Sequence, residues 1–142
     1  MSYRFGEATV YKCGFWTQGP AMLQSLAILE NFDLKSLGHG SAAYCHVLIE
    51  AIKLAFADRE QYYGDPTQAD VPADVLLSSS YGRRRAALID RGRASHELRP
   101  GDAFRDAPLL PVAEHFNPTP WGPGTVHVDA IDRDGNMASF TP

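Results

Sequence analysis

The chain has 142 residues, about the size of one domain, with 21% charged and 44% hydrophobic residues, an ordinary balance for a globular protein. Its net charge of −4 leaves no electrostatic case for nucleic acid, and the one basic run, Arg83-Arg84-Arg85, reads as a solvated helix face. No apolar run approaches the length that crosses a bilayer, and Met1-Ser2-Tyr3-Arg4 lacks the apolar core of a signal peptide.

In chain order, Ala8-Thr9-Val10-Tyr11-Lys12-Cys13 is rich in β-formers and ends at Gly14, which predicts a short strand. Gly19-Pro20 then opens a helix over about Ala21 to Asn31, with Leu23, Leu26, Ala27 and Glu30 at helical spacing and proline where its missing N–H costs nothing. Leu34 to Gly40 reads as a loop. Ser41 is a good N-cap for the strongest helix, which runs to about Tyr63 and stops at Gly64 with Pro66 beyond. Its expected apolar stripe is Tyr44, Leu48, Ala51, Ile52, Ala55 and Phe56, with Glu50, Lys53 and Asp58 off it. Two helices with a short connection predict an antiparallel hairpin packed stripe to stripe.

Asp65 to Asp74 reads as an exposed loop and Ser79 to Asp90 as a third helix. Gly92 to Gly124 carries Pro100, Pro108, Pro111, Pro118, Pro120 and Pro123 and keeps no periodicity, so it is a long connection that is functional or rests on other parts of the protein. Thr125 to Ile131 has a strand pattern. Asp132 to Gly135 is a turn, with Asp134-Gly135 as its hairpin signal, and Asn136 to Thr141 is a second strand. A lone hairpin is marginal in water and needs a sheet to join.

Three blocks, in order, carry a family resemblance. The first is Cys13-Gly14-Phe15-Trp16-Thr17-Gln18-Gly19-Pro20, followed by Ile28-Leu29-Glu30-Asn31-Phe32-Asp33-Leu34. The second is Gly38-His39-Gly40-Ser41 with the run Glu50 to Arg59 and Gly64-Asp65-Pro66. The third is Gly124-Thr125-Val126-His127 with Asp132-Arg133-Asp134-Gly135-Asn136. Together they resemble the gamma-glutamyltransferases, from about Thr9 to Pro142. The first block looks most like the branch with Trp-Thr-Gln-Gly-Pro where others have a proline- and serine-rich stretch.

The resemblance implies an N-terminal-nucleophile hydrolase. A precursor of that kind cuts itself before a threonine, which then begins the small subunit and becomes the nucleophile. On this chain the threonine is Thr125 and the bond is Gly124–Thr125. The implied fold class is α+β: a helix-rich fragment of an αββα sandwich, with an α-hairpin and a C-terminal β-hairpin. Residues 1–124 would be the C-terminal part of the large-subunit region and 125–142 the start of the small one. The implied partners are a γ-glutamyl small molecule, such as glutathione, and the missing parts of the precursor or a complementing chain. No cofactor, nucleic acid or membrane is expected. Substrate-clamping and oxyanion-hole residues fall outside this chain in the family. Neither Arg83 nor Asp129 is put in their place. Val126 replaces a second threonine common in the transpeptidases, which bears on transpeptidation against hydrolysis, and Phe15 replaces a proline. The competing reading is a catalytically inactive truncated helical module that associates with a partner chain.

Other residues have plainer readings. Cys13 and Cys45 fit neither zinc spacing nor a disulfide framework, and their apolar neighbours make buried thiols the expectation. His46 and Glu50 lie one helical turn apart, with His39 in the preceding loop. Zinc requires three or four convergent ligands, so this pair reads as solvated. His127 follows Thr125 by two, the same face of a strand, and reads as a structural hydrogen-bonding residue. Asp58-Arg59-Glu60 is expected to cap and charge the end of the long helix. Trp16 and Trp121 are read as packing anchors.

Overall fold

A computed structural model describes residues 1–105 and 127–140. The chain opens on an antiparallel ribbon of β1 (Ser2–Phe5) and β2 (Ala8–Tyr11), paired from Ser2↔Tyr11 to Phe5↔Ala8. Gly6, at φ 59°, supplies the left-handed residue that a two-residue hairpin turn requires. β1 was not anticipated: it is four residues long and only Tyr3 on it is fully buried, too little alternation to register in sequence. The Tyr3 hydroxyl donates to Glu30 at the end of the first helix and lies 3.3 Å from Ser79 Oγ, fastening the ribbon to the helices.

α1 (Gly19–Leu29) carries Pro20 in its first turn. It begins and ends two residues earlier than expected, with Glu30 as its C-cap. Two short helices were not expected: α2 (Leu34–Leu37) lies within the predicted loop Leu34 to Gly40, and α4 (Ala73–Leu76) starts at the end of the predicted loop Asp65 to Asp74, with Leu76 fully buried. α3 (Ala42–Tyr62) starts as Ser41 dictates: its hydroxyl accepts from the Tyr44 N–H at 3.1 Å. α5 (Ser79–Ala86) is shorter than the expected Ser79 to Asp90. Two tight turns follow it, with Leu88 N–H donating to Arg85 and Ile89 N–H to Ala86, each at 3.1 Å.

α1 and α3 form the expected antiparallel pair. Gln18 meets Arg59 at one end, and Ile28 and Leu29 share a cluster with Val47 at the other. The face of α3 differs from the expected one. Its buried residues are Val47, Glu50, Ala51, Leu54, Ala55, Ala57, Asp58 and Tyr62, so only Ala51 and Ala55 of the expected stripe are buried. Ile52 and Phe56 are 38% and 40% exposed. The reason is steric. Three small alanines allow close approach to α1 and α5, and that shape preference outweighs the larger apolar area of Ile52 and Phe56.

α5 approaches α1 through Gly82, where a Cβ would overlap the Ala27 carbonyl. Gly82→Ala therefore forces the helices apart, and urea unfolding is expected to show a loss of about 1–3 kcal/mol from overpacking. A second antiparallel ribbon, β3 (Val128–Ile131) and β4 (Met137–Phe140), closes the described chain. The α+β class read from the sequence holds, with its helical hairpin and C-terminal strand pair.

Candidate functional site

The expected nucleophile Thr125, its neighbour Gly124 and Trp121 lie outside the described residues, which resume at His127. β3 and β4 pair from Val128↔Phe140 to Ile131↔Met137, with the turn where the sequence placed it. Asp132 builds that turn. Its Oδ1 accepts the N–H groups of Asp134 and Asn136, both at 2.9 Å, and its Oδ2 accepts the Asn136 side-chain amide at 2.8 Å. Gly135, at φ 84°, takes the left-handed position.

The Asn136 side-chain amide, then the Asn136 backbone N–H, hold the Asp132 carboxyl below its usual range. A depressed carboxyl contributes stability above the ordinary carboxylate pKa of about 4, and that contribution is lost as pH falls through the folded-state value. The Asp134 and Asn136 amide resonances are expected to shift together in an acid NMR titration, at a pH below that of a free aspartate.

His127 sits just before β3. Its Nε2 is 2.9 Å from Asp129 Oδ1 and 3.4 Å from Ser139 Oγ. Asp129 faces Ser139 across the ribbon, so the three side chains make one polar cluster. The hydrogen-bonding role read for His127 is what the structure gives it. Ser139 first, then the nearby imidazole, lower the Asp129 carboxyl.

The larger surprise is on α3. Asp58 is fully buried, not a charged cap. Its Oδ2 accepts from Arg85 Nε at 3.1 Å and from the Gln24 amide, and its Oδ1 accepts from the Gly101 N–H at 2.7 Å. Burial raises the Asp58 carboxyl pKa, an effect that the Arg85 guanidinium opposes. Arg85, placed by sequence on a solvated basic face, is 2% exposed. It also donates to the carbonyls of Leu54 (3.3 Å) and Arg99. Glu50, 1% exposed, is the second buried carboxylate. It takes the Arg99 guanidinium at 3.1 Å, the Ser95 N–H at 3.2 Å and the Lys53 ammonium.

These contacts settle the smaller readings. His46 Nε2 lies 2.7 Å from the Asp90 carbonyl while Glu50 is held elsewhere, so the two do not converge on a cation. Among the described residues no three His, Cys, Asp or Glu side chains cluster as metal ligands. Both cysteines are exposed, contrary to expectation: Cys13 follows the end of β2, and Cys45 is on the first turn of α3, away from its packed face. Trp16 is 67% exposed; its ring lies against Gly14, which has no room for a Cβ, but it anchors no core. The sequence signal for the buried carboxylates was present in their spacing. Glu50, Leu54 and Asp58 follow one another at four-residue intervals on the face that carries the alanines.

The described architecture is a helix-rich α+β unit leading into a strand pair, and comparisons with known proteins place it. The family model for Gamma-glutamyltranspeptidase matches residues 1–142, and the chain belongs to that family. It is 38% identical over 125 residues to a glutathione hydrolase proenzyme of Escherichia coli strain K12, covering 87% of this chain and 19% of that protein. It is 42% identical over 125 residues to an acylase ACY 1 proenzyme of Pseudomonas sp. strain SE83, covering 88% of this chain and 20% of that protein. A crystal structure of Helicobacter pylori gamma-glutamyltranspeptidase superposes with a TM-score of 0.63 and 27% identity, over 67% of this chain and 28% of that one. The chain thus spans about a fifth of the length of the curated relatives it matches.

Proposed function

We propose that the chain is the junction segment of an autoprocessing γ-glutamyl transferase or hydrolase, with residues 1–124 ending the large-subunit region and 125–142 beginning the small one. The observation that carries this reading is the match of the whole chain to the family, with Gly124-Thr125 directly before the strand pair, and relatives that are themselves proenzymes. Breaking the Gly124–Thr125 bond frees the Thr125 α-amine, whose ordinary pKa is about 8. That amine, directly or through a water, takes the proton as the Thr125 hydroxyl attacks the γ-carbonyl of a glutamyl donor such as glutathione. The proton passes to the departing amine, leaving a γ-glutamyl ester on Thr125. Water or an amino acid then displaces Thr125 and restores its hydroxyl.

The match to an acylase ACY 1 proenzyme supports a second donor class, an acyl amide other than a γ-glutamyl one. The test uses the full-length precursor. Intact mass is expected to resolve two polypeptides divided between Gly124 and Thr125, and the processed protein to release chromophore from γ-glutamyl p-nitroanilide. Release from a simple N-acyl anilide alone would transfer the reading to the acylase class. An unbroken precursor inactive on both would favour the inactive associating module instead.

A further inference from the structure

The residues after α5 have no periodicity of their own, yet they sink into the fold: Pro100, Gly101 and Ala103 are buried. Side chains of α3 supply what secondary structure does not. Glu50 accepts the Ser95 N–H at 3.2 Å and the Arg99 guanidinium at 3.1 Å. Asp58, two helical turns further along the same buried face, accepts the Gly101 N–H at 2.7 Å. The Tyr62 hydroxyl donates to the Gly101 carbonyl at 2.6 Å and accepts from the Ala103 N–H at 3.2 Å. Arg85 donates to the Arg99 carbonyl and Lys53 to the Ser95 carbonyl. Gly101 itself lies so close to Tyr81 and Arg85 that a Cβ would collide with the tyrosine hydroxyl.

Burying ionised groups costs several kcal/mol each, and apolar side chains of the same volume would often stabilise the fold as well. Unlike apolar side chains, each carboxylate here accepts a named backbone N–H. The result is a register: Ser95 at Glu50, Gly101 at Asp58, Ala103 at Tyr62. From Ala103 the sequence continues to Gly124–Thr125.

We propose that Glu50, Asp58 and Tyr62 are positioning residues for chain cleavage, strapping residues 95–103 onto α3 so that the segment leading to the Gly124–Thr125 bond starts from one fixed point before and after the break. This rests on the reading of Thr125 given above. By sequence about twenty residues separate Ala103 from the Gly124–Thr125 bond, so the strap sets the point from which the chain reaches that bond; closure cost grows only logarithmically with chain length, and releasing the strap is expected to slow cleavage by about twofold. Its effect on local opening is larger, since each hydrogen bond broken in the strap exposes backbone that is otherwise protected.

The test uses the full-length precursor and chymotrypsin, whose candidate sites include Leu98, inside the strap, and Phe104, 60% exposed just beyond it. In the native protein the cut after Phe104 is expected well before that after Leu98. Glu50→Gln and Tyr62→Phe, which keep side-chain volume, are expected to speed the cut after Leu98 at least tenfold. Combined, they are expected to slow self-cleavage about twofold at a temperature where they stay folded. Leu23→Ala, a core truncation away from the strap, is the control and is expected to lower the melting temperature without changing either rate. Three results would overturn the proposal: native Leu98 cut as fast as Phe104, unchanged rates in both strap variants, or the same changes in Leu23→Ala. A precursor that never breaks before Thr125 would refute the nucleophile reading instead, while the chymotrypsin pattern would still decide whether the strap exists.

Discussion

Thr125→Ala in the full-length precursor is expected to leave the polypeptide in one piece and to reduce turnover of a γ-glutamyl anilide by at least about a thousandfold, the scale set by removing a catalytic nucleophile. Two functions disappear with one oxygen. In the proposed mechanism the hydroxyl attacks its own preceding carbonyl, water hydrolyses the resulting ester so that the chain parts, and the same hydroxyl later carries the acyl group. Thr125→Ser keeps the oxygen and loses only the methyl, so it is expected to cleave and turn over, more slowly. Mass spectrometry reads the first function and chromophore release the second. An alanine variant that still divides at this position would place the nucleophile elsewhere, and one that stays whole but turns over normally would separate processing from catalysis.

Asp58→Ala is expected to cost about 3–5 kcal/mol of folding stability, because Arg85, 2% exposed, then lies buried beside no carboxylate. Against a typical total of about 5–15 kcal/mol, that loss removes a large part of what keeps a domain folded. The Gln24 amide and the Gly101 N–H lose their acceptor in the same step. The companion variant Asp58→Leu/Arg85→Met removes both charges at once and is expected to recover part of the loss, since an apolar pair has no uncompensated charge. Urea denaturation of the two variants measures the difference. Equal loss in both would mean that the hydrogen bonds to Gln24 and Gly101, not the buried cation, carry the energy.

Local signals in the sequence were strong where a single residue decides the structure. Ser41 caps α3, Pro20 opens α1 and Asp134-Gly135 marks the turn between β3 and β4, because capping, a fixed φ and a left-handed glycine act within a few positions. What failed was the choice of face. Hydrophobicity alone put Ile52 and Phe56 inside and Asp58 and Arg85 outside, and the packing reversed all four. Whether a carboxylate tolerates burial depends on a guanidinium 27 positions away and on the backbone of a segment without pattern, neither of which appears in a helical window. The proposed junction, which lies outside the described residues, was read in a different manner. Gly124-Thr125 stands out only beside the family pattern, since a single threonine before a strand has no physical signature of its own.

The ribbon of β3 and β4 has a practical consequence for handling the chain. Val128, Ile131, Met137 and Phe140 are 54%, 67%, 80% and 64% exposed, so neither side of the ribbon has a greasy neighbour laid against it among the described residues. Among the described residues no further strand pairs with the outer N–H and C=O groups of β3 and β4, and such edges act as a template for strands from other molecules. Concentrated preparations should therefore thicken or precipitate through this ribbon before any helix unfolds. A lysine at Met137, the most exposed of the four, is the change most suited to keeping neighbouring molecules apart.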